Sequence, residues 1–295
     1  MQPDGGWGWS NAGLIIGGET SLLVDTLFDI PLTREMLGEM RPVTQGKPID
    51  VAVNTHSNGD HCYGNGALAD ATPIYATALA AEGMREEPPE LLQALLANDL
   101  GPELNEFAER IFGRFQFEGL EARLPSDTFE GRLQLTVGDR ELEMIEVGPA
   151  HTAGDAIVHV PDAATVFTGD IFFSGGTPIV WAGPVSNWIA ACDLIVGLGA
   201  RTLVPGHGPV TDGEGVLEIK RYLEFVSRQA RALFDAGVTA EDAADQIDLQ
   251  PFADWTAPER IVRNVEQLYS EFDPDRTPAS PIEVFQGMAR WTKRH

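Results

Sequence analysis

The sequence predicts a mixed α/β fold in which two β-rich blocks flank a helical insertion. Three observations carry this. Short apolar β-type runs dominate the chain up to Ala76, whereas residues 79–118 carry Leu, Ala and Glu at helical spacing. β-type runs return between Leu133 and Thr168, and from Gly215 onward the chain is amphipathic and mostly helical. An apolar period of two marks half-buried strands and a period near 3.6 marks helices. The pattern is met either by two packed sheets or by one large mixed sheet covered by helices.

The elements follow in order. Leu14-Ile15-Ile16 and Leu22-Leu23-Val24 flank Gly17-Gly18 and read as a hairpin. Ile49–Asn54 is a nearly continuous apolar run, the pattern of a strand buried on both faces. Pro73–Ala76 is a weaker strand candidate. Within 79–118, Pro88-Pro89 and Gly101-Pro102 break the helical pattern. Strands are predicted at Leu133–Val137, Glu141–Val147, Ala156–Val160 and Thr165–Thr168, with turns at Gly138-Asp139 and Pro161-Asp162. A helix over Ser186–Leu198 and a strand over Thr202–Val204 come next. The final helices break at Gly237, Pro251 and Pro258.

Composition narrows the function. The 295 residues allow one large domain or two small ones at about 100–200 residues each. Hydrophobic residues make up 43%, enough for a sizeable core. Twenty basic residues against 45 acidic ones give a formal charge of −25, which repels nucleic-acid phosphates and anionic lipid. Cys62 and Cys192 are too few for a disulfide framework. No apolar run reaches the roughly 18 residues that span a bilayer. The N-terminal stretch lacks both a basic start and an apolar core, so no secretory signal is expected. These features predict a cytoplasmic protein with a small-molecule substrate.

Of six histidines, four lie in glycine-rich segments directly after β-type runs. His56 and His61 occupy Asn54-Thr55-His56-Ser57-Asn58-Gly59-Asp60-His61. His151 sits in Gly148-Pro149-Ala150-His151, and His207 in Pro205-Gly206-His207-Gly208. Asp170 ends a fourth run, Phe167-Thr168-Gly169-Asp170. Loops at strand ends are where a rigid scaffold positions functional side chains. Imidazole with carboxylate suits Zn, Fe or Mn better than Ca or Mg. His159 alternates within a strand and reads as structural, and the terminal His295 is expected to be frayed.

His56-x-Asn58-x-Asp60-His61, followed by His151, Asp170 and His207, resembles the H-x-H-x-D-H signature of the metallo-β-lactamase-fold hydrolase superfamily. The resemblance covers about residues 10–210. It implies an αββα sandwich with metals at one edge between the sheets. The boundaries it implies are a domain over 1–215, with the helical insertion as a cap or oligomer contact, and a helical C-terminal extension over 216–295. Carried over position by position, His56 and His151 belong to a first metal site. Asp60, His61 and His207 belong to a second, and Asp170 bridges them. Asn58 departs from the pattern by standing where the family has a histidine. Either its neutral amide oxygen is a weak ligand, leaving the first site the weaker, or it turns away to hydrogen-bond water or substrate.

The resemblance implies one or two zinc ions, with Fe or Mn as alternatives, and attack by metal-bound hydroxide. Asp60 or Asp170 is the candidate to orient or deprotonate water, whichever the metal leaves free. Asp155 is expected to hydrogen-bond near the ligands or shape a turn, and Cys62 to be a small buried residue at a helix start. Tyr63, Phe173 and Trp181 are candidate apolar walls of a substrate pocket, with segment 172–181 lining the cleft. Trp7 and Trp9 cover either the site's edge or a partner surface. The leading function is hydrolysis of an ester, thioester, lactone or, at the margin, an activated aryl ether. The alternatives are an iron-dependent oxidoreductase and a non-catalytic subunit with a decayed first site. Homo- or hetero-oligomers fit the extra helices, and no sequence feature sets their order.

Overall fold

Gly18, with a φ of +55°, turns the chain between Gly13–Gly17 (β1) and Thr20–Val24 (β2), which pair antiparallel. Gly takes this left-handed conformation without a Cβ penalty. This computed structural model describes residues 6–295. After β2, Asp29 accepts a hydrogen bond from Leu32 N and caps helix Ile30–Thr44 (α1). α1 carries the chain back so that Ile49–Val53 (β3) pairs parallel with β2. Parallel neighbours need such a crossover, because a tight turn can join only antiparallel strands. A single turn at Gly59–Cys62 (α2) follows, and Ile74–Thr77 (β4) then pairs parallel with β3.

The insertion is helical where expected: Ala78–Glu86 (α3), Pro89–Ala97 (α4) and Pro102–Phe112 (α5). Pro89 and Pro102 open their helices, where a missing N–H costs nothing. Asp127–Phe129 (β5) completes a sheet ordered β1-β2-β3-β4-β5. Arg132–Val137 (β6), Arg140–Glu146 (β7), Ala156–Val160 (β8) and Thr165–Phe173 (β9) run as an antiparallel meander. Helix Val185–Gly197 (α6) crosses over to Thr202–His207 (β10), which lies parallel to β9, and Thr211–Asp212 (β11) ends this second sheet of six strands. Leu217–Asp235 (α7), Ala240–Gln246 (α8), Ile261–Phe272 (α9) and Pro281–Arg294 (α10) follow.

Strand periodicity sorts the side chains into layers. Leu22 and Val24 of β2 meet Leu142, Met144 and Val158 of the second sheet in a core between the sheets. Leu23, on the opposite face, packs with Met36 of α1 and Ile74. Ile145 and Ile157 face outward from the second sheet into a large cluster with Trp188 of α6, Tyr222 of α7 and Val265 of α9. The result is an α/β/β/α sandwich. The C-terminal helices and the insertion share that outer cluster, which also holds Phe107 and Trp291. Among the described residues no helix is long and apolar enough to cross a membrane.

The structure departs from the sequence reading in four places. β3 is not buried throughout: Asp50 is exposed, because β4 pairs only with Ala52 and Val53 and leaves the start of β3 uncovered on that edge. β9 and β10 run on through Asp170 and His207, so these two residues sit within strand ends rather than in loops. Two short strands, β5 and β11, lie where no alternating pattern marked them. His295 is anchored by stacking on Trp291 at 4.2 Å between ring centroids.

Trp188 ties this architecture to the site. It is fully buried, its Nε1 donates to Ile171 O at 3.0 Å, and its ring meets His151 edge-on at 5.7 Å. Replacing Trp188 with Ala is expected to lower unfolding free energy by about 3–5 kcal/mol. Urea denaturation with an unchanged slope would read this out, and a loss under about 1 kcal/mol would show that the site rests on other contacts.

Candidate metal centre

Thr55, directly after β3, donates from its backbone N (2.7 Å) and its Oγ1 (2.8 Å) to the Asp25 carboxylate. Asp25 itself stands at the end of β2 with a φ of +59°. With its proton given to Asp25, Thr55 Oγ1 accepts from His56 Nδ1 at 2.9 Å. His61 Nδ1 meets Asp25 Oδ2 at 2.9 Å, and His151 Nδ1 donates to Ile179 O at 2.6 Å. In all three imidazoles Nδ1 is the protonated nitrogen, so each turns an Nε2 lone pair inward. Asn54 Nδ2 closes the loop by donating to His61 O at 3.0 Å. Asn11 Nδ2, from the N-terminal segment, holds the last loop by donating to Pro205 O and Gly208 O.

The inward atoms converge. Asp170 lies 3.8 Å from His56, 3.1 Å from His61, 3.3 Å from His151 and 3.4 Å from His207, each through Nε2. Asp60 Oδ2 is 3.2 Å from His207 Nε2. Two groups have ligand atoms within 4.8 Å of one another: His56, His151 and Asp170, and Asp60, His61 and His207. His56 Nε2, His61 Nε2, Asp170 Oδ1 and His207 Nδ1 are buried with no hydrogen-bond partner. Buried polar atoms left this way are costly and call for an unseen partner. Inward lone pairs on imidazole and carboxylate fit a divalent transition metal such as zinc.

Asn58 stays at the corner of the first group. Its Oδ1 is 2.7 Å from His151 Nε2, while its Nδ2 donates to Glu87 Oε2 at 3.5 Å. The Asn58 amide therefore faces His151 and Glu87 beside the first group rather than turning away from it. Each of the two groups thus offers two imidazoles and one carboxylate.

Electrostatics follow the same geometry. Burial would raise Asp60, but His61 and His207 outweigh it and hold the carboxyl at about 2. Asp170 is likewise held well below the usual carboxylate range, burial being overcome by His207, His61, His56 and His151. Burial lowers His56 and brings His151 to about 4. For His61 and His207 burial is overcome by Asp170 and Asp60, so both are raised. Metal uptake therefore competes with protons at His61 and His207.

Close backbone approach completes the centre. A Cβ at Gly206 would collide with Asp170 Oδ1, and one at Gly169, where φ is +49°, would meet Thr55 Oγ1 at 2.6 Å. Asp155 stands outside both groups: its carboxylate accepts from Thr152 N and Oγ1 (2.6 Å for the latter), and burial pushes it up to about 7. Cys62 ends α2 rather than starting it; its Sγ contacts Ser57 O and Asn58 O, and burial pushes the thiol up.

A cavity of about 440 Å³ opens onto Asp60, His151, Asp170 and His207. Tyr63, Phe173 and Trp181 line it, and so do Asn58 and Ile179. The remaining wall comes from Leu91, Leu92 and Leu95 of α4, Phe112 of α5, Phe285 of α10, and Trp7. The insertion and the C-terminal extension thus cover the site. Trp9 packs at a tilt against Phe115, with ring centroids 5.0 Å apart. Sequence reasoning missed Asp25, whose only signal was its place after an apolar run, and Arg260, which also lines the cavity. Asp25→Ala is expected to weaken metal affinity by about 10–100-fold, because His61 loses its orienting partner. Titration against a competing chelator measures this, and an unchanged affinity would remove Asp25 from the centre.

The chain is 25% identical over 203 residues to a 2,4-dinitroanisole O-demethylase subunit alpha from Nocardioides sp. (strain JS1661), covering 66% of this chain and 51% of that protein. The chain thus spans about half the length of that relative. It is 24% identical over 293 residues to a beta-lactamase-like protein 2 homolog from Caenorhabditis elegans, covering 94% of this chain and 83% of that one. A solved metallo-beta-lactamase family protein from Thermus thermophilus shares the fold, with a TM-score of 0.62, 19% identity and 92% coverage of each chain. Residues 5–207 match the family model of the metallo-beta-lactamase superfamily, and the chain belongs to that superfamily.

Proposed function

We propose that this chain is a metal-dependent hydrolase of a small, largely aromatic substrate, with an ester-type bond as the one broken. The observation that carries the reading is the aromatic cavity opening directly onto the convergent ligand cluster. Its size suits a molecule of one or two rings, and its apolar walls reward burial of such a body. Zinc is the ion we assign, on the donor set. When bound, the cation supplies Lewis acidity and lowers the pKa of water towards neutrality.

The chain's own groups orient the reaction. Asp60 is 13% exposed against 4% for Asp170, so Asp60 is the carboxylate that meets the attacking water and accepts its hydrogen bond. Water oxygen joins the acyl carbon, the acyl–oxygen bond breaks, and the departing alcohol takes the proton. No side-chain nucleophile competes among the residues nearest the centre. The Tyr63 hydroxyl is committed to Glu87 O at 2.8 Å, and the Cys62 thiol is buried with its pKa raised. The walls built by α4, α5 and α10 exclude bulk water, which strengthens electrostatic interactions in the site.

A second reading, attack on an electron-poor aryl ether, is supported by the relative named as a dinitroanisole O-demethylase subunit. One experiment separates the two. Zinc-loaded protein is offered aromatic esters, thioesters, lactones and an activated methyl aryl ether, before and after chelation. The expected result is ester turnover that falls at least about 100-fold on chelation and returns with zinc, as loss of metal-assisted water activation requires. Turnover of the ether alone favours the second reading. No turnover on any class with metal bound contradicts both.

A further inference from the structure

Arg260 is a charged group that neither the ligand cluster nor the proposed hydrolysis uses. It lines the cavity together with Asp60, Asp170 and His207, yet it lies beyond the segment that matches the superfamily. Backbone hydrogen bonds fix it there. Thr177 N donates to Thr256 O at 2.9 Å and Thr256 N to Gly175 O at 3.1 Å, which ties the chain before α9 to the strap leaving β9. Ala257, with a φ of +54°, then turns the backbone into the helical turn that ends at Arg260.

Arg260 is 2% exposed. It stacks over Trp7, with Cζ 4.2 Å from the ring centroid, and faces Phe173 at 5.2 Å. Nη1 donates to Thr177 O at 2.9 Å, and Nε has no partner. Its neighbour Glu259 is engaged elsewhere, accepting from Trp7 Nε1 at 2.8 Å. Among the described residues no carboxylate pairs with Arg260. Burial lowers its pKa while Glu259, Asp170 and Asp60 raise it, and a guanidinium stays protonated at neutral pH in any case. A buried charge whose nearby carboxylates make no direct ion pair with it is only partly compensated. Two stacked aromatic faces offset only part of the rest.

We propose that Arg260 is a specificity-determining residue that binds a carboxylate carried by the substrate, so that the preferred substrate is an aromatic ester bearing a free carboxyl group. This rests on the hydrolase reading for the reaction but not for the binding. The flat fork of the guanidinium matches a carboxylate, and its fixed stacking preorganises the donors. The aromatic body then fills the cavity, which places the ester beside the ligand cluster.

Binding of benzoate and its neutral analogue benzamide to the full-length chain tests this, with tryptophan fluorescence as the readout. Wild type, R260K and R260M are compared, each zinc-loaded and chelated. Wild type is expected to prefer benzoate, and R260M to lose about 10–100-fold in benzoate affinity while benzamide affinity holds within about twofold, as loss of a charged hydrogen bond dictates. R260K keeps the charge but not the fork, so a loss of at least about threefold is expected there. The preference for benzoate should survive chelation. Unchanged benzoate affinity in R260M overturns the assignment, as does a preference that vanishes on chelation, since the cation would then be holding the carboxylate. If R260M does not fold by near-ultraviolet circular dichroism, full retention in R260K overturns it. Because no arm requires turnover, a chain that hydrolyses none of the offered esters still tests Arg260.

Discussion

Asp170 is only 4% exposed, and four imidazole Nε2 atoms lie between 3.1 and 3.8 Å from its carboxylate. Much else in the molecule follows from that crowding. A buried carboxylate is expensive, and neutral imidazoles do not neutralise it. Asp170 raises the proton affinity of His61 and His207, so a proton and a cation compete to offset its charge. The glycines beside Asp170 are the steric counterpart, since Gly206 and Gly169 leave no room for a Cβ where strand ends and ligands meet.

The sandwich exists to bring strand ends together. His56 and His61 follow β3 in the first sheet, whereas Asp170 lies near the end of β9 and His207 ends β10, its parallel neighbour in the second. Packing through Leu22, Val24, Met144 and Val158 sets the spacing between the sheets and hence between the two halves of the ligand set. Asp25 links these levels. One carboxylate orders Thr55, through it His56, and directly His61, so the end of β2 positions two imidazoles at once.

Much of this was legible in the sequence because the informative pattern is local. An apolar run followed by a short glycine-containing segment with a His or an Asp is readable locally, and it recurs around His56, His151, Asp170 and His207. The helices of the insertion were equally readable from spacing and from the prolines that open them. Where those helices go was not readable, since their placement over the cavity depends on contacts such as Trp7 with Phe112 and Phe285. Arg260 was invisible for the same reason: its position depends on pairing between Gly176 and Thr256, remote in the chain and without a periodic signature. Asp25 had the strand-end context but no histidine beside it to draw notice. The partial exposure of β3 was hidden because an apolar run does not report how many neighbours its strand has.

The convergence itself is most directly tested by anomalous diffraction from crystals grown with zinc. A peak within about 2.0–2.2 Å of His61, His207 and Asp60 ligand atoms is predicted, with Asp170 completing its shell and any second, weaker peak beside His56 and His151. Zinc bound only at surface carboxylates, with the space among these six side chains filled by ordered water, would contradict it.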